Sequence, residues 1–490
     1  MLEKLGIFGW PTKDENLLFA SILTGDPVLL IGDAGCAKTA TINNLAKALG
    51  LNFVAYDASK SLFEDVLGFP NPASLKNGKM EYIQSPITIW DKEFVLIDEL
   101  NRSAREMQSK WLEIIRSRQI MGMPTKVTWI AAAMNPMTYS ATNSLDEALI
   151  ERFAIFIYPP DILSMDDNHV CNISRNVNRD DAPALSKWGY SAENISKNIE
   201  RDVTFDQLMT EAAIYYSGIY KETTHLPQFL ARFAKTLNKE TKDKLKLNGR
   251  RIGFISRAII ANRAIELAKN KLLGTPLKSL PESVLYTIKS SIPLGLSDSA
   301  LSKQDIEHSI ESTFRLLEAY FTNKFDIKML DIIYELFTTR DILRKAKILF
   351  TEPVGEFAKA KAWNEIITSG DAVSKSLIAY VALTIESCKP NTLPREFIKQ
   401  MTDIINFDAL TQIKINNIDE SVYSFRDDII KLFDEKNLLK KAILVVKFNE
   451  QNKHMTVASI TETKNNIEGE VEKLYGELTG ASRQDNAKTN

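Results

Sequence analysis

Residues 28–39 read VLLIGDAGCAKT. Val28 to Ile31 form a short apolar run between Pro27 and Gly32, and helical periodicity starts at Thr39 and continues to Leu49. A strand, a glycine-containing turn and a helix start, in that order, are the setting of a phosphate-binding loop. Gly32 and Gly35 let backbone N–H groups come close to phosphate, and Asp33, Ala34, Cys36 and Ala37 complete the cradle. The helix N-terminus adds partial positive charge. Lys38 is spaced to reach the β- and γ-phosphates of ATP, and Thr39 to hold Mg²⁺ through its hydroxyl. The pattern G-x-x-x-x-G-K-[ST] asks for glycine where Ala37 stands. Alanine serves there if the residue is already helical, because its amide still points at the phosphate. By itself the segment also fits a plain strand–helix turn. Cys36 reads as a small residue at a tolerant position, with a redox tag as the sharper alternative.

The same alternation continues downstream. Residues 53–56, 93–98, 127–133 and 153–158 are further apolar strand candidates, the last stopped by Pro159 and Pro160. Near-continuous apolar strands separated by helical patterns predict a parallel sheet covered on both faces. The third candidate delivers two acids at its end, Asp98 and Glu99. In that position Asp98 orients Mg²⁺ or its water, and Glu99 polarises an attacking water as general base. The bland alternative is a strand end with solvated acids. Asn135 closes the next strand, where an amide can help position that water. Arg152 lies just before the fifth strand, from where an arginine can reach a neighbouring subunit's nucleotide; an ordinary surface arginine is the alternative.

Past Pro160 the strand signals fade. Residues 166–194 are polar and read as a long loop or insertion. Helical patterns then cover 205–221, 228–237, 252–271 and 282–291, with a loop at 275–281. From about 302 the chain is helical in character, with candidates at 306–322, 329–350, 354–368, 372–388, 395–405 and 425–448. The stretch after 451 is polar, with a lone helix at 467–478. The expected organisation is an α/β core over 1–165, a helical lid with a polar insertion over 166–300, a helical C-terminal domain over 301–450 and a polar tail over 451–490.

Composition narrows the function classes. A net charge of -2 provides no global basic excess for nucleic acid. Cys36, Cys171 and Cys388 form no CxxC pair, and the four histidines are scattered, so neither a disulfide framework nor a zinc site is expected. No apolar run approaches the 18 or so residues of a membrane helix, and the N-terminus lacks a signal-peptide pattern. A cytoplasmic location follows as an expectation.

Taken together, these blocks resemble the MoxR/RavA branch of the AAA+ ATPases. The resemblance rests on Ala37-Lys38-Thr39, Asp98-Glu99-Leu100-Asn101-Arg102, Gln108 to Glu113, Arg118 to Ile120, Ala132 to Pro136, Leu145 to Ala148 and Glu151-Arg152-Phe153. Glu64 to Gly68 and Ser85 to Ile87 also fit. It is strong over about 15–160 and extends weakly to about 295 through Arg250 and Arg251. It implies ATP hydrolysis, with Asn135 as sensor 1, Arg152 as arginine finger, and Arg250 or Arg251 as the lid's sensor 2, Arg257 being a rival. A basic helix start on the surface is the alternative for that pair. It further implies a homo-oligomer, a hexameric ring, remodelling a protein substrate or working with a von Willebrand factor A partner. Asp57, Ser59 and Ser61 mimic the metal-site pattern of such a partner domain, but inside the core they read as coincidence. Two other functions stay in view: a nucleotide-gated scaffold or sensor, and a nucleic-acid translocase, which the charge disfavours.

Overall fold

The computed structural model describes residues 1–78, 81–136, 145–180, 204–294, 296, 301–322, 326–339, 342–369, 375–376, 378–380, 382–383, 395–404, 469, 472–473 and 475–476. Its contacts group into two units, Met1–Phe314 and Arg315–Asn490.

In the first unit a 3-10 turn, Leu2–Leu5, precedes α1 (Thr12–Thr24) and β1 (Val28–Ile31). Next come α2 (Lys38–Ala48), β2 (Phe53–Asp57), α3 (Phe63–Leu67), β3 (Phe69–Pro70), α4 (Pro72–Lys76), β4 (Tyr82–Ile83) and β5 (Phe94–Asp98). They are followed by α5 (Arg105–Ser117), β6 (Gln119–Ile120), β7 (Met123–Pro124), β8 (Trp129–Met134), α6 (Glu147–Ile150) and β9 (Ile155–Ile157). The main sheet runs β2-β5-β8-β1-β9. Every pairing in it is parallel.

The apolar strands follow from coverage on both sides. Val28, Leu30, Phe94, Leu96, Ala131, Ala133, Ile155 and Ile157 belong to one buried cluster. Their neighbours in sequence, Leu29, Ile31, Val95, Ile97, Ile130, Ala132 and Phe156, belong to the other. Alternate side chains point to opposite faces of a strand, so each strand must be apolar throughout. Helix α1 and the later helices cover the first face, and α3 and α5 the second. Gly68 is fixed by crowding: its φ is +89°, and a Cβ there would lie 2.1 Å from the Ile83 carbonyl oxygen.

Helices follow the sheet: α7 (Asp167–Asp180), α8 (Phe205–Glu222), α9 (Leu226–Glu240), α10 (Gly249–Leu273) and α11 (Leu280–Ser290). The loop expected at 166–194 is corrected over its first half by α7. Asp166 accepts the His169 N–H at 2.9 Å and caps the helix, and Val170 and Ile173 give it a narrow apolar stripe. Polarity alone does not exclude a helix. The rest of that expected insertion, 181–194, lies outside the described residues. Helix α10 is capped by Asn248, whose side chain accepts the Arg251 N–H at 2.9 Å, and ends at Gly274 in the left-handed region.

Helix α12 (Lys303–Leu317) spans the boundary between the units. The second unit contains α13 (Ala319–Thr322), α14 (Ile327–Thr338), α15 (Ile342–Thr351), α16 (Glu356–Ser369) and α17 (Arg395–Ile404). The single helix expected over 329–350 is instead two, α14 ending at an extended Thr339. A β-branched pair, Thr338 and Thr339, weakens helix continuation there. The helix expected at 425–448 lies outside the described residues. Among the described residues no helix is long and apolar enough to cross a membrane.

Candidate functional site

The carboxyl ends of β1, β5 and β8 lie side by side in the sheet, the edge where ligands of open α/β sheets bind. Each strand delivers a polar group there. Lys38, first residue of α2, donates from Nζ to the Gly32 carbonyl at 2.7 Å, the Asp33 carbonyl at 2.8 Å and Asn135 Oδ1 at 3.3 Å. Thr39 Oγ1 donates to Asp98 Oδ2. The other oxygen of Asp98 accepts the Glu99 N–H at 2.8 Å. Lys38, Thr39, Asp98, Glu99 and Asn135 therefore line one cleft of about 340 Å³, together with Ala34, Gly35, Ala37, Ala40 and Met134.

Two residues in the cleft occupy backbone conformations that favour glycine. Ala37 has φ 54° and ψ 24°, so it is left-handed and precedes the helix. The condition attached to alanine, that the residue already be helical, is corrected. The Cβ there costs on the order of 1–2 kcal/mol. Glu99 is left-handed too, with φ 52° and ψ 38°. Its carboxylate lies 3.4 Å from Arg102 Nη1.

Electrostatics separates the two groups beside the phosphate loop. Burial pushes Lys38 below the ordinary lysine range, against Cys36, Asp98, Asp33 and Glu99, which favour its charge. Burial also pushes the Cys36 thiol up, although Lys38 opposes the shift. The thiolate needed for redox reactivity is therefore disfavoured at Cys36. A hydroxyl and a carboxylate in contact, Thr39 and Asp98, suit Mg²⁺, which takes one or two protein oxygens and completes its shell with phosphate and water.

Beyond the phosphate loop the cleft opens into a cavity of about 650 Å³. Ala34 to Ala37 form one side; Ile7, Phe8, Trp10, Asp161 and Met165 are among the other walls. The segment 4–10 forms a strap that is held at Leu5 and, just upstream of it, at Leu2. Asn44 Nδ2 donates to the Leu5 carbonyl at 3.0 Å. Glu15 accepts the Leu2 N–H at 2.8 Å, and Glu15 is itself paired in the interior with Lys269 of α10. Sequence reading missed this wall. The available signal was two aromatics, Phe8 and Trp10, flanking a glycine just before the first helix.

The arginines lie elsewhere. Arg152 immediately precedes Phe153 and β9, and so stands at the amino edge of the sheet, opposite the cleft. Burial first, and then the guanidinium groups of Arg250 and Arg116, push Arg152 below the ordinary arginine range. Three cations therefore share this edge, and Arg116 and Arg250 are exposed. Arg251 is enclosed, with 1% of its surface exposed. It donates to the Phe153 carbonyl at 2.7 Å and the Ser291 carbonyl at 2.9 Å, and lies 3.6 Å from Glu151. Arg257 makes a two-pronged pair with Asp26 at 3.0 and 2.8 Å, just before β1. The structure thus gathers Lys38, Thr39, Asp98, Glu99 and Asn135, and leaves Arg152, Arg250 and Arg251 at the far edge. Asp57 binds Ser59 and Lys60 within its own turn, a local arrangement for that motif.

Residues 27–155 match the family described as "ATPase family associated with various cellular activities (AAA)". Structural protein ORF618 of Acidianus two-tailed virus is 30% identical over 174 residues, 34% of this chain and 28% of that protein. Uncharacterized protein YeaC of Bacillus subtilis is 32% identical over 144 residues, 28% of this chain and 43% of that protein. Chaperone MoxR1 of Mycobacterium tuberculosis is 28% identical over 156 residues, 30% of this chain and 39% of that protein. The chain therefore spans less than half the length of each of these relatives. A solved structure of a candidate ATPase from Cytophaga hutchinsonii is 20% identical, with a TM-score of 0.44, covering 63% of this chain and 91% of that one.

Proposed function

We propose, from the premise that residues 27–155 belong to the AAA+ ATPases of MoxR type, that this chain hydrolyses ATP and uses the cycle to remodel or activate a protein partner. One observation carries the reading: Lys38, Thr39, Asp98, Glu99 and Asn135 line a single cleft at the carboxyl edge of the sheet.

The triphosphate lies along the amides of 32–39, and the nucleoside enters the adjoining 650 Å³ cavity. Lys38 exchanges the carbonyls of Gly32 and Asp33 for the β- and γ-phosphate oxygens. Thr39 and Asp98 would hold Mg²⁺, which when bound would offset phosphate charge. Glu99 takes a proton from water as the water oxygen bonds to the γ-phosphorus. The bond to the β–γ bridging oxygen breaks, leaving ADP and phosphate. Asn135 orients the water or the γ-phosphate.

Arg152 and Arg250 serve a different nucleotide. A strand's length of sheet, roughly 13 Å, separates their edge from their own cleft. Clustered guanidinium groups repel one another until an anion joins them. The triphosphate of a neighbouring copy suits them, Arg152 acting as finger and Arg250 as the lid's sensor. Arg251, enclosed by carbonyls, holds the lid helix in place. Copies joined this way form a closed homo-oligomer, which we read as a hexamer. The protein substrate or von Willebrand factor A partner, the cytoplasmic location and the division at 165, 300 and 450 belong to the same reading.

A second reading, a nucleotide-gated scaffold with little turnover, is favoured by the pairing of Glu99 with Arg102 at 3.4 Å, which ties up the general base. Steady-state ATPase assays separate the two. The motor reading expects Glu99→Gln to lower kcat on the order of 10²–10⁴-fold. Equal rates for wild type and Glu99→Gln overturn it.

A further inference from the structure

We infer that Asn101 is a positioning residue for hydrolysis, holding Asn135 in the place from which it acts. The inference rests on the ATPase reading above and concerns a residue given no role there.

The β5–β8 ladder ends at the pairing of Ile97 with Ala132. Past it Asp98 pairs with Asp57 of β2, and the chain enters the 3-10 turn Leu100–Arg102. On the other side Met134 is still held, its carbonyl accepting the Gly32 N–H at 3.2 Å. Asn135 is the next residue, beyond the reach of either backbone ladder. Asn101 fills that gap with a side chain: its Nδ2 donates to the Asn135 carbonyl at 3.0 Å. Asn101 is fully buried and Asn135 is 7% exposed, so water does not substitute readily for this bond.

The two ends of Asn135 are thus divided between tasks. Its carbonyl is pinned by Asn101, and its side-chain oxygen meets Lys38 at 3.3 Å. A peptide free to rotate at 135 would swing the amide away from the γ-phosphate position. Asn101 also sits two residues after Glu99. One rigid turn therefore ties the general base to the amide that orients its water. Nucleotide binding draws on the phosphate loop and the cavity, neither of which Asn101 lines. Its loss should therefore appear in turnover rather than in affinity.

The test uses the full chain and five variants: Asn101→Ala, Asn101→Leu, Asn135→Ala and each Asn101 change combined with Asn135→Ala. Leucine keeps the volume and removes the donor, so it carries the comparison if the alanine variant does not fold. The expected result is a fall in kcat of about 10²-fold for the Asn101 variants, the scale of a small misplacement of a catalytic group. KM for ATP and the calorimetric Kd for ADP should stay within about threefold of wild type on the same argument. The combined variants should turn over no more slowly than Asn135→Ala alone. Losses that multiply, a raised KM at unchanged kcat, wild-type rates, or failure of both Asn101 variants to fold would each overturn the inference. A wild-type rate no higher than that of Glu99→Gln removes the ATPase reading itself. An active wild type with unaffected Asn101 variants removes this inference alone.

Discussion

Replacing Lys269 by methionine leaves Glu15 buried without its main cation. The Lys269 side chain is 2% exposed and that of Glu15 is 9% exposed. Methionine keeps an unbranched stem beside Phe19, over whose ring the Lys269 ammonium lies at 4.9 Å. The packing loss is therefore small and the charge loss dominates. Removing one partner of a buried ion pair costs about 3–5 kcal/mol. Glu15 still faces the Met1 amino group at 3.1 Å and the Leu2 N–H at 2.8 Å, so the lower end, about 3 kcal/mol, is expected. For a large domain that is a fall in Tm of roughly 6–12 °C. Acid should narrow the deficit. In the wild type burial pushes the Glu15 carboxyl up, but Lys269 and its other partners outweigh this and hold it below the ordinary range. Its contribution is present above the unfolded pKa and is lost as pH falls through the folded one. In the variant the carboxyl loses its largest lowering influence, Lys269, so its folded pKa rises and acid costs the variant less than the wild type. Combining Lys269→Met with Glu15→Gln should recover most of the loss. The strap that walls the cavity hangs on Glu15, so ADP affinity should fall in the single variant as well. Chemical denaturation near neutrality gives the stability. A deficit below about 1 kcal/mol, or a double variant no better than the single, would refute the reasoning.

Other consequences can be checked directly. Lys38 must be protonated to bind phosphate, and burial lowers its pKa, so calorimetric ADP affinity should start to fall at a pH below that expected for an ordinary lysine. Arg257→Ala should leave kcat unchanged and lower stability by about 1–3 kcal/mol, since Arg257 is 44% exposed but Asp26, at 9%, loses its two-pronged hydrogen bonds; a large drop in turnover would restore Arg257 as a phosphate sensor. Ala37→Gly relieves a left-handed alanine but enlarges unfolded-state freedom, so thermal melting should shift by no more than about 1 kcal/mol in equivalent stability. A loss beyond that means the Ala37 methyl packs against something that matters.

The core was legible because its strands are forced to be apolar on both faces and its turns carry glycine and charge at fixed offsets. Strands 28–31 and 94–98 were readable to within a residue at their ends. What escaped was long-range. No local signal says that Arg251 spends its guanidinium on the Phe153 and Ser291 carbonyls, or that Lys269 meets Glu15 across the fold. The left-handed backbone at Ala37 was hidden because alanine ordinarily avoids it. Helix α7 was lost in polar composition, although Asp166 was a readable cap. The cavity wall at 4–10 depends on Asn44 and Glu15 reaching it from other elements.

Helix α10 carries Lys269 near one end and Arg250 near the other. Nineteen residues of α-helix make a rod of about 28 Å. Such a rod transmits tilt rather than absorbing it. A change of about 5° where the strap grips it displaces the opposite tip by roughly 2.5 Å, the difference between touching a phosphate oxygen and missing it. In the proposed homo-oligomer, that lever would link the occupant of one copy's cavity to the site next door.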